Sequence, residues 1–93
     1  MYHRGKSFPG KYMSLIYMKS NRLRVGFAAS GKVGNSVVRH KVRRRMTEDF
    51  RMLRGQLPAG NYVFAARPGA AKAPWQEMAQ EMRALLKRAR LLP

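Results

Sequence analysis

Between Ser30 and Arg54 the chain reads SGKVGNSVVRHKVRRRMTEDFRMLR, a glycine-bearing basic loop that runs into a segment dense in arginine. Counting His40, eight basic side chains fall between Arg39 and Arg54, and only Glu48 and Asp49 oppose them. The chemistry such a set offers is the holding of phosphate. Guanidinium forks take phosphate oxygens in two-point contacts, ammonium groups add point charge, and a glycine loop lets backbone amides approach an anion closely. The plainer alternative is a solvated helix face, but such faces usually interleave acids with bases at helical spacing. Here mutual repulsion opposes the helix until a polyanion neutralises it.

Other chemistries are poorly supplied. A metal-dependent nuclease needs several carboxylates converging on divalent ions. Glu48 and Asp49 are adjacent and diverge around a helix, whereas Glu77 and Glu81 share a face but make only one pair. Helix-end electrostatics accounts for all of them more simply. His3, His40 and Lys41 are the residue types a metal-free ribonuclease would use as acid and base, yet no spacing brings His3 to His40. There is no phosphate-loop or nucleophile motif. Without cysteine, disulfides and thiolate zinc sites are excluded. No catalytic residue, metal site or small-molecule ligand is therefore expected of the protein by itself, and its contribution is binding.

The elements that position the basic residues follow from periodicity. Val38, Val42, Met46, Phe50 and Leu53 recur at three- and four-residue spacing, one stripe of a helix turned to a core. At about 100° per residue, Arg39, Arg43 and Arg54 fall along one flank of that stripe. His40, Arg44 and Arg51 take the outer face, and Lys41 and Arg45 the opposite flank. Gly34, Asn35 and Ser36 halt the preceding extended segment, either Asn35 or Ser36 can cap the first turn, and Gly55 supplies a stop.

Tyr12 to Met18 reads as a strand, with Tyr12, Ser14, Ile16 and Met18 on one face and Met13, Leu15 and Tyr17 on the other. Lys19 to Arg22 make a polar turn, and Leu23 to Ala29 a second strand, for which an antiparallel hairpin is the economical pairing. A turn at Leu57 to Gly60 leads to a third strand, Asn61 to Ala66, so strand, long helix and strand form a parallel crossover. After a loop from Arg67 to Lys72, Pro74 suits the first turn of a second helix, with Trp75, Met78, Met82, Leu85, Leu86 and Ala89 as its apolar stripe. Arg83, Lys87, Arg88 and Arg90 in its later part complement the helix dipole. Residues 1–11 read as an irregular lead-in.

With 93 residues the chain suits one domain, residues 1–93, around a modest core. Twenty Lys and Arg against four acids give a net charge of +16, which points to nucleic acid. An anionic membrane calls for a separable amphipathic helix or polybasic tail, whereas these charges are spread along the chain. There is no signal-peptide pattern and no apolar run of membrane-spanning length, so a cytoplasmic protein is expected.

The run Lys32 to Arg45, KVGNSVVRHKVRRR, closely resembles the signature of the bacterial ribonuclease P protein subunit, in which a Lys-Val-Gly loop precedes a helix opening with Arg-Asn-Arg. RVGFAAS before it, YVFAARPGAA after it and YHRGKSF near the start fall in that family's order and spacing. The resemblance implies an α/β (α+β) two-layer sandwich, a small mixed sheet with helices and a left-handed βαβ crossover, as in the ribosomal protein S5 domain 2-like fold. It also implies that the family's N-terminal helix is cut short at Met1.

Functionally, the resemblance implies a subunit of the ribonucleoprotein endoribonuclease that matures the 5′ end of tRNA. There the RNA is the catalyst and uses magnesium, while the protein binds that catalytic RNA and the 5′ leader of precursor tRNA. The motif carries RNA binding onto Lys32, Gly34, Asn35, Arg39, Lys41, Arg43, Arg44 and Arg45. His40 joins them at the usual asparagine position, Lys41 replaces the second arginine of the triplet, and Gly31 stands where lysine is common. For the leader, held in the family between one sheet face and the N-terminal helix, the candidates are Phe8, Tyr12 and Tyr17. Packing competes for such rings, including Tyr12, Tyr17 and Phe27, because a small core needs its large side chains. From charge alone, a structural or regulatory RNA-binding protein such as a ribosomal component is the alternative, and an arginine helix reading duplex DNA is a third.

Overall fold

A computed structural model of the chain describes residues 6–92. Strands β1 (Lys6–Pro9), β2 (Met13–Met18), β3 (Leu23–Ala29) and β4 (Gly60–Ala66) form a mixed sheet in the order β1-β2-β4-β3. Helix α1 (Ser36–Leu53) connects β3 to β4, and α2 (Trp75–Arg88) follows β4. Alternation along the strands decides which face is covered. Met13 and Leu15 of β2 and Tyr62 and Phe64 of β4 are buried, and register aligns Phe8, Leu15, Phe64 and Phe27 in one row across the sheet.

Both helices lie over that row. Val42, Met46, Phe50 and Leu53 of α1 and Met78, Met82, Leu85 and Leu86 of α2 join the sheet residues in one core, which gives the two-layer sandwich. Phe50 fixes the roll of α1. Its ring meets Phe27 at 6.0 Å, Tyr62 at 5.6 Å and Phe64 at 5.7 Å, all edge-on, the geometry aromatic quadrupoles favour. With that stripe anchored, the arginines between its members are forced outward or onto the flanks.

Two expectations are corrected. The hairpin between β2 and β3 does not form, because β4 lies between them, antiparallel to β2 and parallel to β3. NYVFAA carries no charge and turns two fully buried aromatics inward, so it gains most from neighbours on both edges, whereas Arg24 suits β3 to the rim. The turn after β2 then spans two strand spacings, roughly 10 Å, an easy reach for the linking residues. The second correction concerns the lead-in: Lys6–Pro9 is a strand paired antiparallel with β2. Pro9 is tolerated there because an edge strand has a side on which no ladder amide is needed. His3, and the segment where the family's N-terminal helix would end, lie outside the described residues.

Helix α2 is fastened to the sheet by a carboxylate. Glu81 Oε1 accepts from the backbone amides of Tyr12 at 2.7 Å and Met13 at 2.8 Å, and Oε2 from that of Lys11 at 2.8 Å. Glu77 accepts the Tyr12 hydroxyl. The pair thus ties α2 to the start of β2, a larger task than the helix-end electrostatics expected of it. Arg88 adds a bond from Nη1 to the Pro9 carbonyl at 3.0 Å.

Candidate nucleic-acid interface

The loop before α1 is built to deliver the helix at a fixed angle. Val33 is buried and its amide donates to the Ser30 carbonyl at 3.0 Å, which pins the loop to the core. Gly34 has φ 159°, and a Cβ there would sit 2.8 Å from Val38 Cγ1, so side chains are excluded on two grounds. Of the two possible caps, Asn35 serves: its Oδ1 accepts from the Val38 amide at 3.0 Å while its carbonyl accepts from Arg39 at 2.9 Å. No acidic residue occupies the first turn, so the positive end of the helix dipole adds to the basic field. At the other end the helix tightens into a 3-10 turn, Arg54–Gln56, with Leu57 N–H on the Arg54 carbonyl, and Gly55 does not adopt a left-handed stop.

The basic residues separate into two groups. His40, Arg43, Arg44 and Arg51 are exposed and line one shallow depression on the outer face of α1, together with Thr47 and Glu48. Lys41 and, in the preceding loop, Lys32 are also exposed. Arg39 and Arg45 are half-buried flank residues. Arg45 donates from Nη2 to the Ala73 carbonyl at 2.9 Å and lies over the Trp75 ring, 4.9 Å from its centre. Burial lowers the Arg45 pKa, with Asp49 one turn on working in the opposite direction. Burial likewise raises the Asp49 carboxyl, Arg45 opposing it and Glu48 adding to it. With Glu77 and Glu81 engaged at the start of β2, these are the only acids left to offset the charge of α1.

The leader candidates are placed differently. Phe8 and Tyr17 turn to the helix-covered face, where both pack against the core. Tyr17 meets Tyr62 edge-on at 5.0 Å and donates its hydroxyl to the Ala59 carbonyl at 2.9 Å. Tyr12, just ahead of β2, is bonded to Glu77 and has Lys11 Nζ 5.3 Å from its ring centre. Among the described residues, the opposite sheet face carries no aromatic side chain, and a cavity there is lined in part by Ile16, Met18, Arg24, Asn61 and Val63. Sequence reasoning also misplaced Trp75. Its spacing to Met78 is that of a core residue, yet it is 66% exposed at the first position of α2. No spacing rule shows where the facing layer ends, so nothing in the sequence distinguished it from its buried neighbours.

A two-layer α/β sandwich presenting an unneutralised arginine helix is the build of a nucleic-acid-binding protein. The comparisons with known proteins identify which. The model of the family Ribonuclease P matches residues 1–90. The ribonuclease P protein component of Nitratiruptor sp. is 39% identical over 88 residues, covering 95% of this chain and 81% of the relative. That of Alkaliphilus metalliredigens is 35% identical over 96 residues, covering 99% and 86%. Among solved structures, the RNase P protein of Thermotoga maritima superposes with a TM-score of 0.82 at 26% identity, over 94% of this chain and 88% of that one. The Staphylococcus aureus RNase P protein gives 0.89 at 23% identity, over 99% and 87%, a likeness of fold. Superposition of that quality requires the same crossover hand in both chains. The chain belongs to the ribonuclease P protein family, whose members are protein components of a holoenzyme that cleaves tRNA precursors.

Proposed function

We propose that the described fold is a single RNA-binding domain whose α1 and preceding loop hold the catalytic RNA of ribonuclease P. The observation that carries this reading is the outer face of α1, where His40, Arg43, Arg44 and Arg51 stand together and exposed. Lys32 and Lys41 extend the same field, and Gly34 and Asn35 act by setting the angle at which the helix leaves the loop. Arg39 and Arg45 reach phosphate from the flanks. Lys41 gives charge without the planar fork, and His40 offers a ring N–H in place of an amide.

Hydrolysis falls to the RNA and its magnesium ions, with precursor tRNA as substrate and the cytoplasm as compartment. This division suits the protein's own carboxylates, which are occupied in fastening α2 or isolated on α1. Phe8, Tyr12 and Tyr17 reach the leader only through their exposed edges, since their rings are engaged in the contacts described above. Adding the purified protein to a bacterial catalytic RNA and precursor tRNA at low magnesium is expected to raise the rate of 5′-leader removal. A folded protein that leaves the rate unchanged would refute the assignment of this role.

A further inference from the structure

Packing does not explain the indole of Trp75. It is the only tryptophan of the chain, 66% exposed, with one face of its ring under the Arg45 guanidinium, which a bond to the Ala73 carbonyl holds in place. Beside it a groove of about 730 Å³ runs along the flank of α1, lined by Val38, Lys41, Arg44, Arg45, Glu48 and Trp75 among others. We propose that this groove is a nucleotide subsite in which an unpaired base of the RNA stacks on Trp75 while its flanking phosphates lie on Lys41 and Arg44. The inference rests on the reading of α1 as the RNA-binding helix and adds to it a sequence-tolerant interaction that charge alone does not provide.

The chemistry of the lining selects this occupant. An exposed indole offers a broad π face, and an unstacked base can cover it, as aromatic platforms do in single-strand-binding proteins. A base inside a duplex has both faces taken by its neighbours and cannot. Lys41, Arg44 and Arg45 supply cations along the groove, matching a backbone that continues on either side of the base. Glu48, the one carboxylate in the lining, repels phosphate and accepts from N–H groups, so its chemistry suits the base edge rather than the backbone. Arg45 occupies one face of the indole, which leaves the other for the base, and brings a cation to the groove it helps to line.

Because the chain has one tryptophan, its emission reports on this residue alone. A short single-stranded RNA, and a duplex of matched sequence closed at each end by a non-nucleotide linker, would be titrated at low salt with two readouts: anisotropy of a label on the RNA and tryptophan emission. The single strand is expected to quench emission along the same isotherm as its anisotropy. Trp75→Ala should weaken single-strand binding roughly tenfold, with Trp75→Phe recovering most of the loss and duplex affinity unchanged in both variants. Single-strand binding that leaves emission untouched and ignores Trp75→Ala overturns the subsite while leaving α1 as the RNA-binding helix. Absence of any RNA binding by the wild-type protein overturns both readings. Since Trp75 is exposed, helicity by circular dichroism should match across the variants, and the wild-type quench does not depend on either of them.

Discussion

Replacing Glu81 tests how the helical layer is attached to the sheet. Glu81→Ala removes the acceptor for three backbone amides, those of Lys11, Tyr12 and Met13. The Lys11 amide is exposed and can turn to water, whereas those of Tyr12 and Met13 are part-buried. A buried donor left without a partner costs about 1–3 kcal/mol, so two of them should cost about 2–6 kcal/mol in all. A domain of this length has roughly 5–14 kcal/mol of stability, and the loss should lower Tm by roughly 15 °C. Glu81→Gln is the discriminating partner. Its amide oxygen can keep both part-buried bonds made by Oε1 and gives up only charge assistance and the exposed bond, a loss of about 1 kcal/mol. Urea unfolding followed by circular dichroism measures both. Equal losses in the two variants, or a loss below about 1 kcal/mol for alanine, would refute the reasoning that these amides depend on one oxygen.

Other expectations follow from single positions. Gly60 has φ 156° and a Cβ there would lie 2.3 Å from Tyr17 Cε1, so Gly60→Ala should destabilise by about 2–4 kcal/mol in urea, with the Tyr17 ring displaced. Asn35→Ala removes the cap of α1 and should cost about 1 kcal/mol, read as lost stability and as faster amide exchange at Val38. Burial, with Tyr17 adding to it, pushes the Tyr62 phenol up to about 12, and its hydroxyl donates to the Pro58 carbonyl at 2.7 Å. In the unfolded chain that phenol ionises near about 10, so the folded state holds the extra proton between these values and stability falls as pH rises through them. Tyr62→Phe should flatten the stability profile in that alkaline window, and a profile unchanged from wild type would contradict the linkage.

Much of this architecture is legible in the sequence where it depends on local period. The Val38 to Leu53 ladder defined α1 and its outer face because side chains three and four apart must share a side, and Phe50 then holds that roll. The parallel crossover followed from strand, helix and strand in succession. What failed depended on distant partners. The neighbour of β2 is decided by which strand most needs two covered edges, and β4 lies more than forty residues away in the chain. The jobs of Glu81 and Glu77 were hidden for the same reason, since their partners at Lys11, Tyr12 and Met13 are remote in sequence. Packing, the competing claim on Tyr17 from its size alone, is what the sheet register gives both Tyr17 and Phe8, which turn toward the helices.

The central claim is that the outer face of α1 is where RNA is held, and the salt dependence of binding tests it most directly. Affinity for the catalytic RNA would be measured across a range of salt for the wild type, for Arg43→Ala with Arg44→Ala on α1, and for Arg83→Ala with Lys87→Ala on α2. Each phosphate that the protein no longer neutralises should flatten the slope of log affinity against log salt by about 0.7–0.9, so the α1 pair should reduce it by roughly 1.5 and the α2 pair should leave it near wild type. Equal slopes for the two pairs, or a larger change from α2, would contradict the placement of the interface.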